Sequence, residues 1–371
     1  MYKFKITCPC HFGLESVLKF EVSKIGGEDI QVSDGRVSFM GDFSMIARAN
    51  YCLATAERVL IELAQFKANS FDDLLYTMKS LPLEEFIGKH DAFPVKGYSL
   101  NSKLKSVPAC QRTIKKGAVD RLCNKYGVSY LEETGATVQI QFSIMNDICT
   151  IYLDTSGQGL HKRGYRKISN LAPIKETLAS GIVDLARVRP DSVVCDPFCG
   201  SGTILIEAGL KALNIAPGIN RHFSAERWQM SSPKIWKDER SRAIDLVNRN
   251  ATFEAYGSDI DPDAIELTLN NSAKAGIKTK IHARQNDVAG FIPIKDSITI
   301  CNPPYGERLL EIKQAEELYE IMGECFGKNR SNPSYIISPH EDFEHFFGKK
   351  ADKRRKLYNG MIKCQLFMYF K

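Results

Sequence analysis

The sequence predicts an α/β protein: a doubly wound, Rossmann-like, largely parallel sheet with an antiparallel edge hairpin, preceded by an α+β half. Three observations carry this. Helix-period and strand-period segments alternate from residue 174 onward, and a glycine turn joins an apolar strand to an apolar helix in VVCDPFCGSGTILIEA. Near the end, Asn359-Gly360 separates two strand-like runs, as a tight hairpin turn would.

In the first half, residues 3–8 alternate as a strand, Leu14 to Ile25 has helical spacing, and Arg36 to Met40 alternates again. Phe43 to Phe66 begins as helix and gives way to the apolar run VLIELAQF. Ser70, with Asp73 three residues on, opens the next helix in the manner of a cap. Ala109 to Tyr126 reads as an amphipathic helix ended by Gly127, and Ala136 to Phe142 and Ile148 to Leu153 as paired strands. The run from Asp154 to Gly159 is a turn or linker.

The second half then reads as helix Ile174 to Ala186, with Pro173 at its start, strand Ser192 to Cys195 and helix Thr203 to Leu213. Strand Tyr256 to Asp259, helix Pro262 to Ala275 and strand Ser297 to Cys301 follow, and Arg355 to Tyr358 and Met361 to Phe370 make the closing hairpin. Residues 214–250, with Trp228 and Trp236, form an insertion that is helical in its second part.

A chain of 371 residues exceeds the usual single domain, so more than one compact unit is expected. The hydrophobic share of 43% and charged share of 25% are those of ordinary globular proteins. No apolar run approaches the ~20 residues of a membrane span, and the N-terminus lacks a secretory core, so cytoplasmic residence is expected. Eleven cysteines, an odd number with no CxxC pair, point to reduced thiols rather than a disulfide framework. Cys8, Cys10 and His11 have no second ligand pair at finger spacing, so no metal is expected. The net charge of +6 favours a polyanionic partner only mildly. The candidate RNA contacts lie in two basic clusters: Lys162, Arg163 and Arg166, with His161 and Lys167, and Lys353, Arg354 and Arg355, with Lys349, Lys350 and Lys356.

Gly200 and Gly202 let the backbone pass beneath a ligand where a side chain would collide, and the first amides of the helix opening at Thr203 can bond a carboxylate. Asp196 would repel a pyrophosphate but suits the ammonium group of a methionine, and the GxGxxG spacing of dinucleotide folds is missing. S-adenosylmethionine is therefore the expected cofactor. Asp259 ends the next strand, in AYGSDIDPDAI, where two ribose hydroxyls want a carboxylate; Asp261, before Pro262, is explained as a helix cap. Asp287, after Asn286, is a candidate for the adenine amine, with a surface turn as the other reading. Glu176 and Thr177 lie off the core stripe of Ile174, Leu178, Ile182 and Leu185, where they face the cofactor or solvent. Phe198 and Ile260 complete the candidate cofactor set.

Strand SITIC runs into NPPYGERL, which places Asn302 at the sheet's carboxyl edge, where open α/β sheets bind ligands. Pro303 and Pro304 fix an extended backbone and leave the Asn302 side-chain oxygen and the Pro303 carbonyl as unpaired acceptors aimed outward. Two acceptors match an NH2 group. Accepting both hydrogens of an aryl amine draws its lone pair out of the ring and towards a methyl donor, and positioning for in-line attack supplies much of the rest. Tyr305 offers a flat face for a base swung out of its stack.

APIKETLASGI, DPFCGSGT, GSDIDP and NPPYGERL occur in an order that resembles the THUMP-domain class I RNA guanine-N2 methyltransferases, and LDTSGQGLHKRGYR is similar to the junction between their RNA-binding and catalytic parts. The resemblance implies a ferredoxin-like part over residues 1–44, a THUMP RNA-binding domain over 45–155, a linker over 156–170 and a class I methyltransferase domain over 171–371. It also implies donor contacts at Asp196, Gly200, Gly202, Thr203, Asp259 and Asp287, an amine oriented by Asn302 to Tyr305, and ribosomal RNA of the large subunit as partner. Relatives of the Escherichia type carry a second methyltransferase behind this one, before which the present sequence stops, so their target is not assured here. Alternatives are a transfer-RNA guanine enzyme, an adenine-N6 enzyme on nucleic acid, a dinucleotide enzyme, and an RNA-binding assembly factor with an inactive catalytic half.

Overall fold

The computed structural model describes residues 3–166, 174–306, 309–327 and 332–370. The N-terminal half runs β1 (Phe4–Pro9), α1 (Glu15–Ile25), β2 (Glu28–Ser33), β3 (Arg36–Gly41), α2 (Phe43–Cys52) and β4 (Leu60–Lys67). It continues through α3 (Phe71–Ser80), β5 (Val95–Leu100), α4 (Val107–Tyr126), β6 (Gln139–Met145) and β7 (Ile148–Asp154). These strands form one sheet in the order β2-β3-β1-β4-β7-β6-β5, antiparallel except for β5 beside β6.

Local chemistry explains several boundaries. Ser70 and Asp73 satisfy each other's backbone amides in a reciprocal capping box at the start of α3. Gly127 ends α4 in the left-handed conformation, at φ +63°. Strands β2 and β5 escape the pattern reading because both are sheet edges: β2 is exposed along nearly its whole length, and β5 carries Gly97, where a Cβ would stand 2.2 Å from the Phe142 carbonyl oxygen. The run after β7 is a buried polar strap, with Thr155 and Ser156 enclosed and bonded to both ends of the Asn50 carboxamide.

The C-terminal half runs α5 (Glu176–Leu185), β8 (Val193–Asp196), α6 (Thr203–Ala212), α7 (Pro233–Asp245), β9 (Glu254–Asp259), α8 (Pro262–Lys274) and β10 (Ile281–Gln285). Then come β11 (Ile298–Cys301), α9 (Leu309–Gly327), β12 (Ser334–Ser338), α10 (Phe343–Phe346), β13 (Lys353–Asn359) and β14 (Ile362–Tyr369). The sheet order is β10-β9-β8-β11-β12-β14-β13, parallel from β10 to β12 and antiparallel through the last two strands. The expected edge hairpin is present, turning at Asn359-Gly360 with Gly360 at φ +63°. Pro173 and Lys167 lie outside the described residues. Among the described residues no helix is long and apolar enough to cross a membrane.

The insertion after α6 clasps the N-terminal half. Trp228 donates its indole N–H to the Thr137 carbonyl at 3.0 Å, and Arg48 pairs with Glu239 of α7 through two hydrogen bonds, at 2.8 and 2.6 Å. Trp236 lies among Phe43, Tyr51 and Phe223, with the Phe223 ring stacked 5.6 Å away. Replacing such a buried aromatic by alanine removes its contacts and leaves a cavity, which costs ~3–5 kcal/mol. Trp236→Ala is therefore expected to lower stability by about that amount in chemical denaturation; a loss within ~0.5 kcal/mol, as for surface changes, would mean the clasp does not hold the halves together.

Candidate active site

Strands β9, β8 and β11 are neighbours, and each ends in a residue of the site: Asp259, Asp196 and, one step beyond β11, Asn302. The chain runs outward from β8 through β9 to β10 and returns to β11 on its other side. The site thus sits at the switch point of the sheet, where its order reverses. A cleft of about 750 Å³ opens there, lined among others by Lys175, Phe198, Gly200, Thr203, Ile260, Asp287 and the run from Asn302 to Gly306.

Asp196 is buried at the floor of this cleft, and burial pushes its carboxyl up to about 8. Among the described residues its hydrogen-bond donor is the Phe198 amide, at 3.0 Å. The site therefore holds a carboxyl group with capacity left for a cation, which fits the ammonium end of a methionine. Gly200 and Gly202 adopt φ of +52° and +79°. A Cβ on Gly200 would meet nothing within 4 Å, so that backbone borders open space a ligand can fill, whereas one on Gly202 would press on Thr268 at 2.9 Å. Gly202 does not line the cleft; it shapes the turn. Asp259 accepts the Gly200 amide at 2.9 Å and the Asp261 amide at 3.1 Å, tying the two strand ends together. Asp261 caps α8 through the Asp263 amide, as its place before Pro262 implies. Asp287 caps a short helical turn through the Ala289 amide and still faces the cleft beside Asn286.

Protonation couples to ligand binding at Asp196. Below pH 8 the free carboxyl holds a proton that an incoming ammonium group must displace, so binding releases a proton. At higher pH the ligand's own α-amino group becomes the partner that lacks one, at a pKa that its free α-carboxylate sets above the ~7.7–8.0 of a peptide terminus. Affinity for S-adenosylhomocysteine is expected to be greatest above pH 8 and to fall about tenfold per unit from there towards pH 6. Calorimetric titration across pH 6–9 checks this; a flat profile would refute the pairing.

Several expectations are corrected. Glu176 and Thr177 are absent from the cleft wall. Glu176 is buried beside the Arg166 guanidinium, 3.0 Å away, and the Thr177 hydroxyl donates to Glu57 of the N-terminal half, because the first turn of α5 packs against that half instead of the cofactor. The Asn302 side-chain oxygen is not free: the Tyr305 hydroxyl donates to it at 2.6 Å. The partly buried Tyr305 ring packs on the core in this conformation, and its hydroxyl takes up one of the two lone pairs of that oxygen.

Two partners of the motif escape a sequence reading. Asn359, at the hairpin turn, donates to the Tyr305 hydroxyl at 3.1 Å, and Tyr319 of α9 donates to the Pro304 carbonyl at 3.0 Å. The Asn359-Gly360 turn was legible, but nothing in it signals that it faces the motif.

The basic clusters divide. Lys162, Lys353 and Lys356 are exposed. Arg163 is buried against Glu207 of α6 and donates to the Leu160 carbonyl, so it is a structural residue and not an RNA contact. Arg166 turns inward to Glu176 and Thr203. Arg354 is exposed but paired with Glu344, and Arg355 is half-buried with one guanidinium nitrogen enclosed, since strand alternation turns it to the other side. The Cys8 and Cys10 thiols are buried, and His11 lies 3.2 Å from Glu57.

Fold and site together define a class I methyltransferase with S-adenosylmethionine as its cofactor. The chain belongs to the family described as RMKL-like, methyltransferase domain, which matches residues 163–367; an RlmL ferredoxin-like domain matches 5–60 and a THUMP domain 68–154. It is 40% identical over 373 residues to "Putative RNA methyltransferase YpsC" of Bacillus subtilis, covering 100% of this chain and 97% of that one. It is 32% identical over 375 residues to "Ribosomal RNA large subunit methyltransferase K/L" of Psychromonas ingrahamii, covering 97% of this chain and 49% of that relative, so it spans about half of it. Among solved structures, SMU.472, "a putative methyltransferase complexed with SAH", superposes with a TM-score of 0.94 at 35% identity, over 100% of this chain and 98% of that one.

Proposed function

We propose that this S-adenosylmethionine-dependent enzyme is an RNA methyltransferase that modifies the exocyclic N2 amine of a guanine, in 23S ribosomal RNA or its precursor, in the cytoplasm. The observation that carries the amine is Asn302-Pro303-Pro304-Tyr305, set at the carboxyl edge of β11 next to Asp196 and within one cleft with it. RNA is supported by the THUMP domain ahead of the catalytic half and by the relatives' names, and guanine N2 by the order of the motifs.

In this reading Asp196 holds the ammonium of the methionine, Gly200 and Thr203 line its amino-acid end, Asp259 takes the ribose and Asp287, with Phe198 and Ile260 near it, the adenine. Bound S-adenosylmethionine supplies a methyl group on a positively charged sulfur. Asn302 Oδ1 and the Pro303 carbonyl accept the two hydrogens of the amine and aim its lone pair; the Tyr305 ring supports the flipped base. Exposed Lys162 and Lys353 lie outside the cleft and serve the RNA backbone.

Mass mapping of ribosomal RNA from a strain lacking the gene tests the target. Loss of one N2-methylguanosine from 23S RNA is expected; intact 23S RNA with a missing methyl on a transfer RNA, or on adenine, would overturn this assignment.

A further inference from the structure

The strap that leads into the catalytic half is locked onto it. Tyr165 is buried and donates to Glu207 of α6 at 2.9 Å, while Ser180 of α5 donates to the other oxygen of the same carboxylate. Arg166, the next residue, is thereby delivered to the edge of the donor cleft, with its side chain 11% exposed. Its guanidinium donates to the Thr203 hydroxyl oxygen at 3.1 Å and to the Ile174 carbonyl at 3.3 Å. Both Thr203 and Ile174 line the cleft, so one cation ties its two walls together.

Guanidinium groups only donate, whereas a hydroxyl gives one hydrogen and accepts on its lone pairs. With Arg166 bonded to the Thr203 oxygen, the hydroxyl hydrogen must point elsewhere. It meets either open cleft or Ser201, whose hydroxyl lies 3.3 Å away and also lines the cleft. In the second case the Ser201 hydrogen is the one left over. Either way the pair keeps a hydrogen to give at the start of α6. That start carries amides with no side-chain cap, because Gly202 occupies the cap position. Arg166 is itself paired with Glu176, so its part is to orient the hydroxyls; hydroxyl donor and uncapped amides together suit an anion, and the carboxylate of the donor's amino-acid end is the anion that accompanies the ammonium assigned to Asp196.

We infer that Arg166 is a positioning residue of the methyl-donor pocket, fixing the Thr203–Ser201 hydroxyl pair as a hydrogen-bond donor to the carboxylate of S-adenosylmethionine. The inference rests on the reading of Asp196 to Thr203 as the donor pocket. It removes Arg166 from the RNA surface and gives the strap between the halves a direct bearing on cofactor affinity.

Calorimetric titration with two ligands tests it: S-adenosylhomocysteine, and 5′-methylthioadenosine, which keeps the nucleoside and sulfur but has no amino-acid end. Arg166→Ala is expected to weaken S-adenosylhomocysteine about tenfold, the scale of one charge-assisted hydrogen bond, and to leave 5′-methylthioadenosine within about twofold. Thr203→Val should reproduce this selective loss, and the double variant should be little worse than either alone. Arg166→Gln, which retains a donor for Thr203, should recover part of the affinity. Equal weakening of both ligands would mean that Arg166 only props up the fold; unchanged affinity for both would also overturn the inference. Asp196→Asn serves as the reference: if it too leaves S-adenosylhomocysteine binding intact, the pocket assignment fails and takes this inference with it. If it weakens binding while Arg166→Ala does not, only the role of Arg166 falls.

Discussion

Asn302→Ala is expected to lower methyl transfer to RNA by ~10²–10³-fold or more, the cost of removing one preorganised partner of the reacting group. The amine would keep the Pro303 carbonyl as an acceptor but lose the carboxamide oxygen that fixes the direction of its lone pair. Affinity for S-adenosylhomocysteine should change by less than about threefold, because Asn302 bonds to Tyr305 and to none of the residues assigned to the donor. Single-turnover transfer of labelled methyl, with calorimetry on the same preparation, checks both halves of the statement. A full-rate Asn302→Ala enzyme would remove the motif from the chemistry. Tyr305→Phe provides a graded comparison: it retains a ring for the base and frees the Asn302 oxygen from the hydroxyl that caps it, so its loss should be far smaller.

Asp196→Asn carries the second large effect. Truncating one partner of a buried charged pair costs ~2–5 kcal/mol, so S-adenosylhomocysteine should bind between about thirty and several thousand times more weakly. The same variant should bind 5′-methylthioadenosine as the native protein does. Because burial already holds the free carboxyl protonated up to about pH 8, Asp196→Asn resembles the protonated native site, and the deficit should shrink as the pH falls towards 6. A deficit that is constant with pH would mean that the carboxylate does not carry the interaction.

The fold was largely legible because the signals are local. Ser70 with Asp73, Asp261 before Pro262, Gly127 after a long amphipathic run and Asn359-Gly360 between strands each name their own boundary, and each stands where expected. Edge strand β2 lacks the alternation that a half-buried strand shows, and β5 alternates in burial but puts Gly97 and Ser99 on its inner side and Tyr98 and Leu100 outside, so its sequence does not show it. In the site, residues that stand at strand ends were readable from position alone: Asp196, Asp259 and Asn302 meet in one cleft. What failed was direction. Thr177, Arg163 and Arg166 are polar residues near the right place, but each turns to a partner distant in sequence, Glu57 of the other half or Glu207 and Thr203 of α6, and Glu176 is buried beside Arg166. Charge in a sequence reads as solvent-facing until such a partner is seen. The same limit hid Asn359 and Tyr319, which meet the catalytic motif from elements that follow it in the chain.

The most direct measurement is methyl transfer by the purified protein. Ribosomal RNA from a strain lacking the gene is incubated with methyl-labelled S-adenosylmethionine, digested to nucleosides and separated. Label in N2-methylguanosine, absent with Asn302→Ala and with RNA from the parent strain, is the expected result. Label in N6-methyladenosine, or no label from an enzyme shown to bind S-adenosylhomocysteine, would contradict it.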